Sequence, residues 1–330
     1  MGTLEYLTGP GCSSLGYGAM EELGPFQVLS DGKTLIENVF SWKYAANVLF
    51  LESPASVGFS YSNTKSDINI IGDKETAKDN YAFLVNWLER FPEYKKRDFY
   101  IAGESYAGHY VPQLAQTILH QNKANKTNIN LKGIIIGNAV INDDTDIEGM
   151  WRFYGSHALI SDDVASEGLK YCVFNLNETK QCDDAVNKSG VGNINLYNIY
   201  APLCSNNNLT NKPNKIQVSN DAHDTSPDPC IDNYVYAYLN RPDVQKALHV
   251  TNIPYKWNFC SHEVSDKWTD SPYTISPLIK EVMANGLRVW IYSGDVDAVI
   301  PVTSTQLSIK NMKPHIITGW LPWIIDGEEK

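Results

Sequence analysis

Four short apolar runs stand out along the chain, each bounded by polar or turn-forming residues. They cover residues 47–51, 99–102, 132–137 and 288–292. Runs of this length that are rich in Val, Ile, Leu, Phe and Tyr are typical of strands buried in a sheet. The pattern therefore predicts four strands, the first of them buried.

Two of the segments between these runs have the periodicity of helices. In residues 74–90 the apolar positions recur at spacings of four, three and four, which predicts a helix with Asp73 as its N-cap and Pro92 as its stop. A second helix is predicted from Val111 onward, after a turn that contains glycine. Strands that alternate with helices in this way predict a mostly parallel sheet with helices on both faces.

Residues 146–234 differ in composition from the segments on either side. They contain four of the six cysteines and three of the four Asn-x-Ser/Thr sequons. Within them, residues 205–229 are dominated by Asn, Asp, Ser, Thr, Lys and Pro, which is too polar to pack and too long for an ordinary connection. We therefore expect an α/β core in two parts, 1–145 and 235–330, and an inserted cap at 146–234 that carries an exposed polar loop.

The charge of the chain excludes some classes of partner. Its 27 basic and 38 acidic residues give a net charge of −11, and without a Lys/Arg cluster the chain lacks the positive surface that nucleic-acid binding requires. No apolar stretch approaches the roughly 20 residues of a membrane span. Cys260 and His262 have no further candidate ligands beside them in the chain, so we expect no metal site, and no cofactor motif is present.

Two features that report on the cellular compartment point in different directions. The sequons at Asn125, Asn177, Asn187 and Asn208, together with an even number of cysteines, favour an oxidising compartment. The first residues, by contrast, lack the basic start, apolar core and small-residue cleavage site of a signal peptide. The expected explanation is that the chain begins inside a longer mature protein.

The segment Gly103-Glu-Ser-Tyr-Ala-Gly108 carries the candidate nucleophile. It joins a predicted strand to a predicted helix, which is the context of a nucleophile elbow, although the second glycine comes one residue later than in a strict G-x-S-x-G pattern. A sharp turn here would lift the Ser105 hydroxyl above the sheet edge, and the helix N-terminus would offer N–H donors to an oxyanion. Ser105 is therefore the expected nucleophile.

A serine nucleophile needs a base and a carboxylate that orients the base, in the chain order Ser, Asp or Glu, His for this kind of elbow. Asp295 and Asp297 both follow the predicted strand 288–292, and spacing alone does not choose between them. His315 is the one histidine after them, but it lies in a segment without a clear preceding strand. His109, four residues after Ser105, is expected to support the site rather than to act as its base.

In these motifs and several others, the chain resembles the serine carboxypeptidase family of α/β-hydrolases, and most closely its plant-type members. The shared landmarks run in the family's order through nearly the whole chain: Gly9-Pro-Gly-Cys-Ser-Ser-Leu15, Glu21-Glu-Leu-Gly-Pro-Phe26, Glu52-Ser-Pro-Ala55, Val57-Gly-Phe-Ser-Tyr61, Gly103-Glu-Ser-Tyr-Ala-Gly108, Leu239-Asn-Arg-Pro-Asp-Val-Gln-Lys-Ala-Leu248 and Ser293-Gly-Asp-Val-Asp297. The resemblance implies an α/β-hydrolase fold and serine-type carboxypeptidase activity.

The resemblance also implies roles for individual residues. Ser105 would be the nucleophile, Asp297 the triad acid, and the backbone N–H groups of Gly9 and Tyr106 the oxyanion hole. Glu104 resembles the residue that binds the terminal carboxylate of the substrate. Because two carboxylates in contact cannot both stay ionised cheaply, Glu104 is expected to bind while protonated, so that substrate binding weakens toward neutral pH.

The cysteines match the family pattern as well. They imply the disulfides Cys12–Cys260, Cys172–Cys182 and Cys204–Cys230. Family members are secreted or vacuolar glycoproteins that remove C-terminal amino acids from peptides at acid pH. The implied partners are peptides with a free C-terminus, and a homodimer is a further partner to test.

The chain departs from the family pattern in three places. Leu7-Thr8-Gly9 stands where the family has Asn-Gly-Gly, strands that normally precede it are missing, and the Gly-Ala-Gly-His segment with the triad histidine would lie beyond Lys330. Loss of a triad member costs about 10⁴- to 10⁶-fold in turnover. We therefore expect this polypeptide, as written, to be truncated at both ends and nearly inactive.

Two alternatives to a carboxypeptidase follow from the same residues. One is an acyltransferase that takes its acyl group from a glucose ester, although Glu104 and Ala107 are typical of the peptidase branch. The other is an inactive pseudoenzyme, or a fragment of a gene model.

Overall fold

The structure is a computed structural model of the chain. It describes residues 3–7, 9–64, 66–173, 179–206, 208–212, 228–250, 253, 255–322, 324–325 and 328–329, with the side chains of 4–7, 325, 328 and 329 excepted. The sequon at Asn177 and most of the predicted polar loop 205–229 lie outside the described residues.

The strands fall into one parallel sheet and two small antiparallel pairs. In chain order they are β1 (Thr3–Leu7), β2 (Phe26–Val28), β3 (Leu35–Glu37), β4 (Asn47–Phe50), β5 (Phe99–Glu104), β6 (Leu131–Gly137), β7 (Arg288–Tyr292), β8 (Ile324–Ile325) and β9 (Glu328–Glu329). The main sheet has the order β4-β1-β5-β6-β7, and all its neighbouring strands are parallel. The four predicted strands are thus confirmed, and Thr3–Leu7 adds a fifth between β4 and β5.

The helices lie mainly in the connections between the strands. Those of the described residues are α1 (Asp73–Arg90), α2 (Ala107–Lys123), α3 (Asp143–Ser156), α4 (Asp162–Tyr171), α5 (Lys180–Ser189), α6 (Ile231–Leu239), α7 (Pro242–Ala247), α8 (His262–Asp266), α9 (Ser276–Ala284) and α10 (Val302–Met312). A π-helix spans Leu15–Glu22, and short 3₁₀ helices lie at Trp42–Tyr44, Asp67–Ile70, Pro92–Tyr94 and Val191–Asn193.

The alternation of side chains along β5 and β6 supplies both faces of the core. Ile101, Ile134 and Ile136 are fully buried on the face that α1, α2 and α9 cover. Ala102 and Ile135 point to the opposite face, where Leu23 packs against them. Because successive residues of a strand point to opposite faces, a continuous apolar run is what a sheet covered on both sides requires. The predicted α/β-hydrolase architecture is confirmed.

The predicted N-cap of the first helix is wrong by one residue. Asp73 is the first residue of α1, and Gly72 occupies the cap position. The Asp73 carboxylate is buried and bonds to side chains outside α1, Tyr106 among them, instead of capping its own helix. Its partners are 33 or more residues away in the chain, so local spacing carries no sign of them.

Three disulfides tie distant parts of the chain together, in the pairing that the resemblance implies: Cys12–Cys260, Cys172–Cys182 and Cys204–Cys230. The second joins the end of α4 to α5, and the third joins Cys204, within the connection between α5 and α6, to Cys230 at the start of α6. The division into a core at 1–145 and 235–330 and a cap at 146–234 stays a prediction.

A buried carboxylate joins α3 to α10. Asp146 accepts hydrogen bonds from the N–H groups of Ile141 and Asn142 at 2.8 and 3.1 Å and from the Ser308 hydroxyl at 3.1 Å. Burial nevertheless dominates and raises the pKa of Asp146 from 3.8 to about 6. A group with a raised pKa holds its proton in the folded state at a pH where the unfolded chain has lost it, so its contribution to stability declines as pH rises through that window.

We therefore expect the free energy of unfolding of the wild type to decline relative to that of Asp146→Asn between about pH 4 and pH 6, by up to about 3 kcal/mol. Urea unfolding followed by tryptophan fluorescence at several pH values measures this difference. Asp184→Asn, at an exposed position of α5, is the control and should show no such trend. A constant difference between wild type and Asp146→Asn would contradict the prediction.

Candidate active site

Ser105 occupies a sharp turn between β5 and α2. Its φ of 58° is in the left-handed region that residues other than glycine rarely adopt. The turn is fixed on both sides, since the Ser105 N–H donates to the Gly137 carbonyl at 3.1 Å and the Ser105 carbonyl accepts from the N–H groups of Gly108 and Val140, both at 3.0 Å. A strained serine held in this way at a strand-to-helix turn is the geometry of a nucleophile elbow.

The displaced glycine of the motif has a steric reason. A Cβ atom on Gly108 would lie 2.3 Å from the Val140 carbonyl oxygen, which is far inside van der Waals contact. Gly108 therefore allows the first turn of α2 to approach the segment that follows β6. The same segment donates the Val140 N–H to Ser105, so this close approach also holds the nucleophile's turn.

Gly9 lies beside the nucleophile. A Cβ atom placed on it would be 3.2 Å from Tyr106 Cβ, 3.7 Å from Tyr106 N and 4.0 Å from Ser105 Oγ. The sheet accounts for this proximity, because Leu7 at the end of β1 pairs with Gly103 near the end of β5. The Cys12–Cys260 disulfide fixes the loop a few residues further on. The backbones of Gly9 and Tyr106 thus flank the Ser105 hydroxyl.

The loop after β7 holds one aspartate firmly. Asp297 Oδ1 accepts from the Val299 N–H at 3.0 Å, and Oδ2 accepts from the Ile300 N–H at 3.0 Å and from Asn138 Nδ2 at 3.1 Å. Partial burial raises the pKa of Asp297 in spite of these donors. Asp295 is exposed, and none of the described residues donates to its carboxylate. These hydrogen bonds favour Asp297 over Asp295 as the candidate triad acid, a choice that spacing in the sequence leaves open.

The flanking backbone of Asp297 is bonded to the segment between α5 and α6. The Ala298 N–H donates to the Leu196 carbonyl at 2.7 Å, and the Ile199 N–H donates to the Val296 carbonyl at 3.1 Å. Ala298 is fully buried in the hydrophobic cluster of Trp151 and its neighbours. The position of Asp297 thus depends on chain that the sequence analysis assigned to the cap.

Asn138 is a residue of this site that the sequence analysis missed. It directly follows β6, and its side chain joins that strand to the loop after β7: Nδ2 lies 3.1 Å from Asp297 Oδ2 and from the Ile300 carbonyl, and Oδ1 accepts from the Gly294 N–H at 3.0 Å. A lone asparagine matches no motif. Its place at the carboxyl end of a parallel strand, where such sheets gather functional groups, is the signal that could have found it.

Glu104 is the last residue of β5 and lies close enough to act electrostatically on its surroundings. Its negative charge is one cause of the raised pKa values of Asp297, Tyr197 and Tyr292, although burial is the larger cause in all three. Ser105, Glu104 and the Asp297 loop therefore share the carboxyl edge of β5, β6 and β7.

The histidines named from the sequence lie apart from this arrangement. His109 is buried, and its Nδ1 is 3.2 Å from Asp73 Oδ2. His315 is exposed in the segment after α10. In the part of the chain that the structure describes, no histidine hydrogen-bonds to Ser105 or Asp297. The structure thus brings Ser105, the Asp297 loop and the Gly9 backbone to one edge of the sheet, and among the described residues no histidine is bonded to them.

Neither a membrane-spanning helix nor a metal-binding cluster is found among the described residues. None of the helices there combines the length and the apolar character that crossing a bilayer would need. In the same ranges, no three His, Cys, Asp or Glu side chains converge as ligands of a metal ion would.

Comparison with known proteins places this geometry in context. The family model described as serine carboxypeptidase matches residues 7–330. Serine carboxypeptidase-like 40 of Arabidopsis thaliana is 56% identical over 97% of this chain and 64% of its own length, and serine carboxypeptidase 24 of the same plant is 48% identical over 97% and 72%. The chain thus spans less than two thirds of the first of these relatives.

A solved structure of a carboxypeptidase is also similar to this chain. Kex1Δp, a prohormone-processing carboxypeptidase from Saccharomyces cerevisiae, superposes with a TM-score of 0.76 at 25% identity, over 99% of this chain and 73% of its own. The chain therefore shares its fold, including the strands and helices around Ser105, with this carboxypeptidase.

Proposed function

This chain belongs to the serine carboxypeptidase family, and we propose that the protein releases C-terminal amino acids from peptides through an acyl-enzyme on Ser105. The observation that carries the proposal is the strained turn at Ser105, with φ of 58° and the Gly9 backbone beside it, on the sheet edge that also carries the Asp297 loop. A protein that only binds peptides would need neither the strained serine turn nor the backbone placed beside its hydroxyl.

The proposed chemistry assigns one task to each group. The Ser105 hydroxyl attacks the scissile carbonyl and passes its proton to a base, while the N–H groups of Gly9 and Tyr106 stabilise the oxyanion. The terminal amino acid leaves with that proton, and water then hydrolyses the acyl-enzyme. Asp297 orients the base. The base is left unassigned, since none of the described histidines hydrogen-bonds to Ser105 or Asp297.

Glu104 is proposed to recognise the free C-terminus. It lies next to Ser105 in the chain and shares the same sheet edge, so a carboxylate bound there would place the last peptide bond beside the nucleophile. A protonated Glu104 can donate a hydrogen bond to that carboxylate, whereas an ionised one would repel it. This selects peptides with a free terminal carboxylate as the substrate class.

The test uses the protein expressed from its own gene and an N-blocked dipeptide at pH 5. We expect release of the C-terminal amino acid, and no release from the same dipeptide with an amidated C-terminus. A parallel reaction offers a glucose ester and an acceptor alcohol. Transfer to the alcohol without peptide hydrolysis would replace the proposal with the acyltransferase alternative, and failure of both reactions would indicate the inactive alternative.

The role of Glu104 makes a separate prediction about KM. In the wild type, KM for the blocked dipeptide should rise between pH 5 and pH 7 because the ionised form binds poorly. In Glu104→Gln, whose amide stays neutral throughout, KM should vary little over the same range. Glu167→Gln, in a salt bridge on α4, should behave as the wild type. A wild-type KM that stays constant with pH would contradict the assignment.

The compartment is proposed from the structure and the family together. Three disulfides persist in oxidising surroundings and are rare in the cytosol. The sequon asparagines Asn125, Asn187 and Asn208 are exposed, as glycosylation requires. A secreted or vacuolar glycoprotein fits these observations.

A further inference from the structure

A single buried carboxylate joins four side chains behind the nucleophile's turn. Asp73 Oδ1 accepts from the Tyr106 hydroxyl and from Trp268 Nε1, both at 2.9 Å. Its Oδ2 accepts from Gln113 Nε2 at 2.7 Å and lies 3.2 Å from His109 Nδ1. Asp73 is 1% exposed, so these contacts replace water almost completely.

Side-chain donors surround this carboxylate in place of a lysine or an arginine. Among the described residues no Lys or Arg pairs with Asp73, while the carboxylate lies in the first turn of α1, where the helix dipole favours negative charge. A carboxylate that accepts four bonds from two separate stretches of chain, the start of α2 and Trp268, fixes the orientation of each donor. Moving any one of the four donors would cost this buried carboxylate one of its hydrogen bonds.

Tyr106 is the donor that connects this cluster to the site. Its ring stacks on His109 at a centroid distance of 4.6 Å and meets Trp268 edge-on at 6.1 Å. Its hydroxyl is tied to Asp73, and its backbone directly follows Ser105. The side chain of Tyr106 is therefore held at both its face and its tip, which leaves its peptide group little freedom to rotate.

We propose that Asp73 is a positioning residue for the oxyanion hole: through the Tyr106 hydroxyl it fixes the Tyr106 peptide N–H beside Ser105. The inference rests on the proposed function, because it assigns that N–H to the oxyanion. Asp73 itself touches no reacting atom. Its effect on catalysis should therefore appear in kcat, which depends on the placement of the donor in the transition state, and hardly in KM.

The first test is Tyr106→Phe, which removes the bond to Asp73 and leaves the peptide N–H in place. Complete loss of an oxyanion donor costs about 10²- to 10³-fold in kcat, so a misplaced donor should cost about tenfold, with KM for the blocked dipeptide changed less than about twofold. Tyr81→Phe is the matched control. It removes a phenol bond at 3.0 Å to Thr127, at the far end of the same helix pair, and should leave both constants unchanged.

Two substitutions of Asp73 test whether the hydrogen-bond geometry of its side chain is what matters for kcat. In Asp73→Asn one oxygen still accepts from Tyr106 and Trp268, and the amide can donate to a reoriented Gln113 and to the other tautomer of His109. We expect a kcat within about threefold of the wild type for this variant and a loss of about tenfold or more for Asp73→Ala. Should the alanine variant fail to fold, Tyr106→Phe and the asparagine variant still decide the question.

A crystal structure of Tyr106→Phe gives a readout that does not depend on turnover. We expect the peptide at residue 106 to move by about 0.5 Å or more, the tolerance of a catalytic group. An unmoved peptide, or an unchanged kcat, overturns the inference. Failure of the proposed function would give a different result, since the wild type would then hydrolyse no more dipeptide than Ser105→Ala.

Discussion

Ser105→Ala is expected to abolish whatever peptide hydrolysis the protein shows. The hydroxyl is the atom that forms the acyl-enzyme, and the residual catalysis left by the oxyanion donors and substrate binding is smaller by about 10⁴- to 10⁶-fold in related chemistry. The loss should appear in kcat, because the surfaces that bind the dipeptide are unchanged.

The substitution is well suited to its purpose because alanine keeps the Cβ atom that strains the turn at φ of 58°. The variant should therefore fold with the thermal stability of the wild type, and lost activity would not reflect lost structure. Ser156→Ala, on α3, is the control and should retain full activity. Hydrolysis that survives in Ser105→Ala would show that the nucleophile is elsewhere and would remove the basis of the proposed function.

The sequence was sufficient for the elements whose signals are local. Four of the five strands of the sheet were predicted because each is a short apolar run, and burial on both faces makes the runs of β5 and β6 continuous. Ser105 was predicted because the elbow needs a strand, small residues and a helix within a few positions. Gly9 came from the resemblance, and its place beside Tyr106 follows from the pairing of β1 with β5.

The residues that were missed or left open depend on contacts between distant segments. Asn138 supports the loop after β7 from about 160 positions away, and Asp73 is tied to Trp268 across nearly 200. Helix periodicity assigned Asp73 to a cap because it considers only the chain on either side. Asp295 and Asp297 follow the same strand two residues apart, and only the donors around them distinguish the two.

The second large effect is expected for Asp297→Asn, which should lose about 10⁴-fold in kcat if Asp297 and not Asp295 is the acid. The carboxylate accepts from two backbone N–H groups and the Asn138 amide, with bonds on both of its oxygens. An asparagine must turn its own NH₂ toward one of these donors, whichever way it is flipped. The variant thus loses both the negative charge that would stabilise a protonated base and the geometry that would orient it.

Asp295→Asn is the matched control, since it removes the same charge two residues away from an exposed carboxylate that no described donor contacts. Its kcat should stay within about twofold of the wild type, because a solvated charge acts weakly at a distance. The two variants, assayed on the blocked dipeptide at pH 5 and checked by thermal melting, answer the question that spacing left open. If Asp295→Asn were the more damaging of the two, the hydrogen bonds around Asp297 would support only the loop, and the acid would have to be assigned to Asp295.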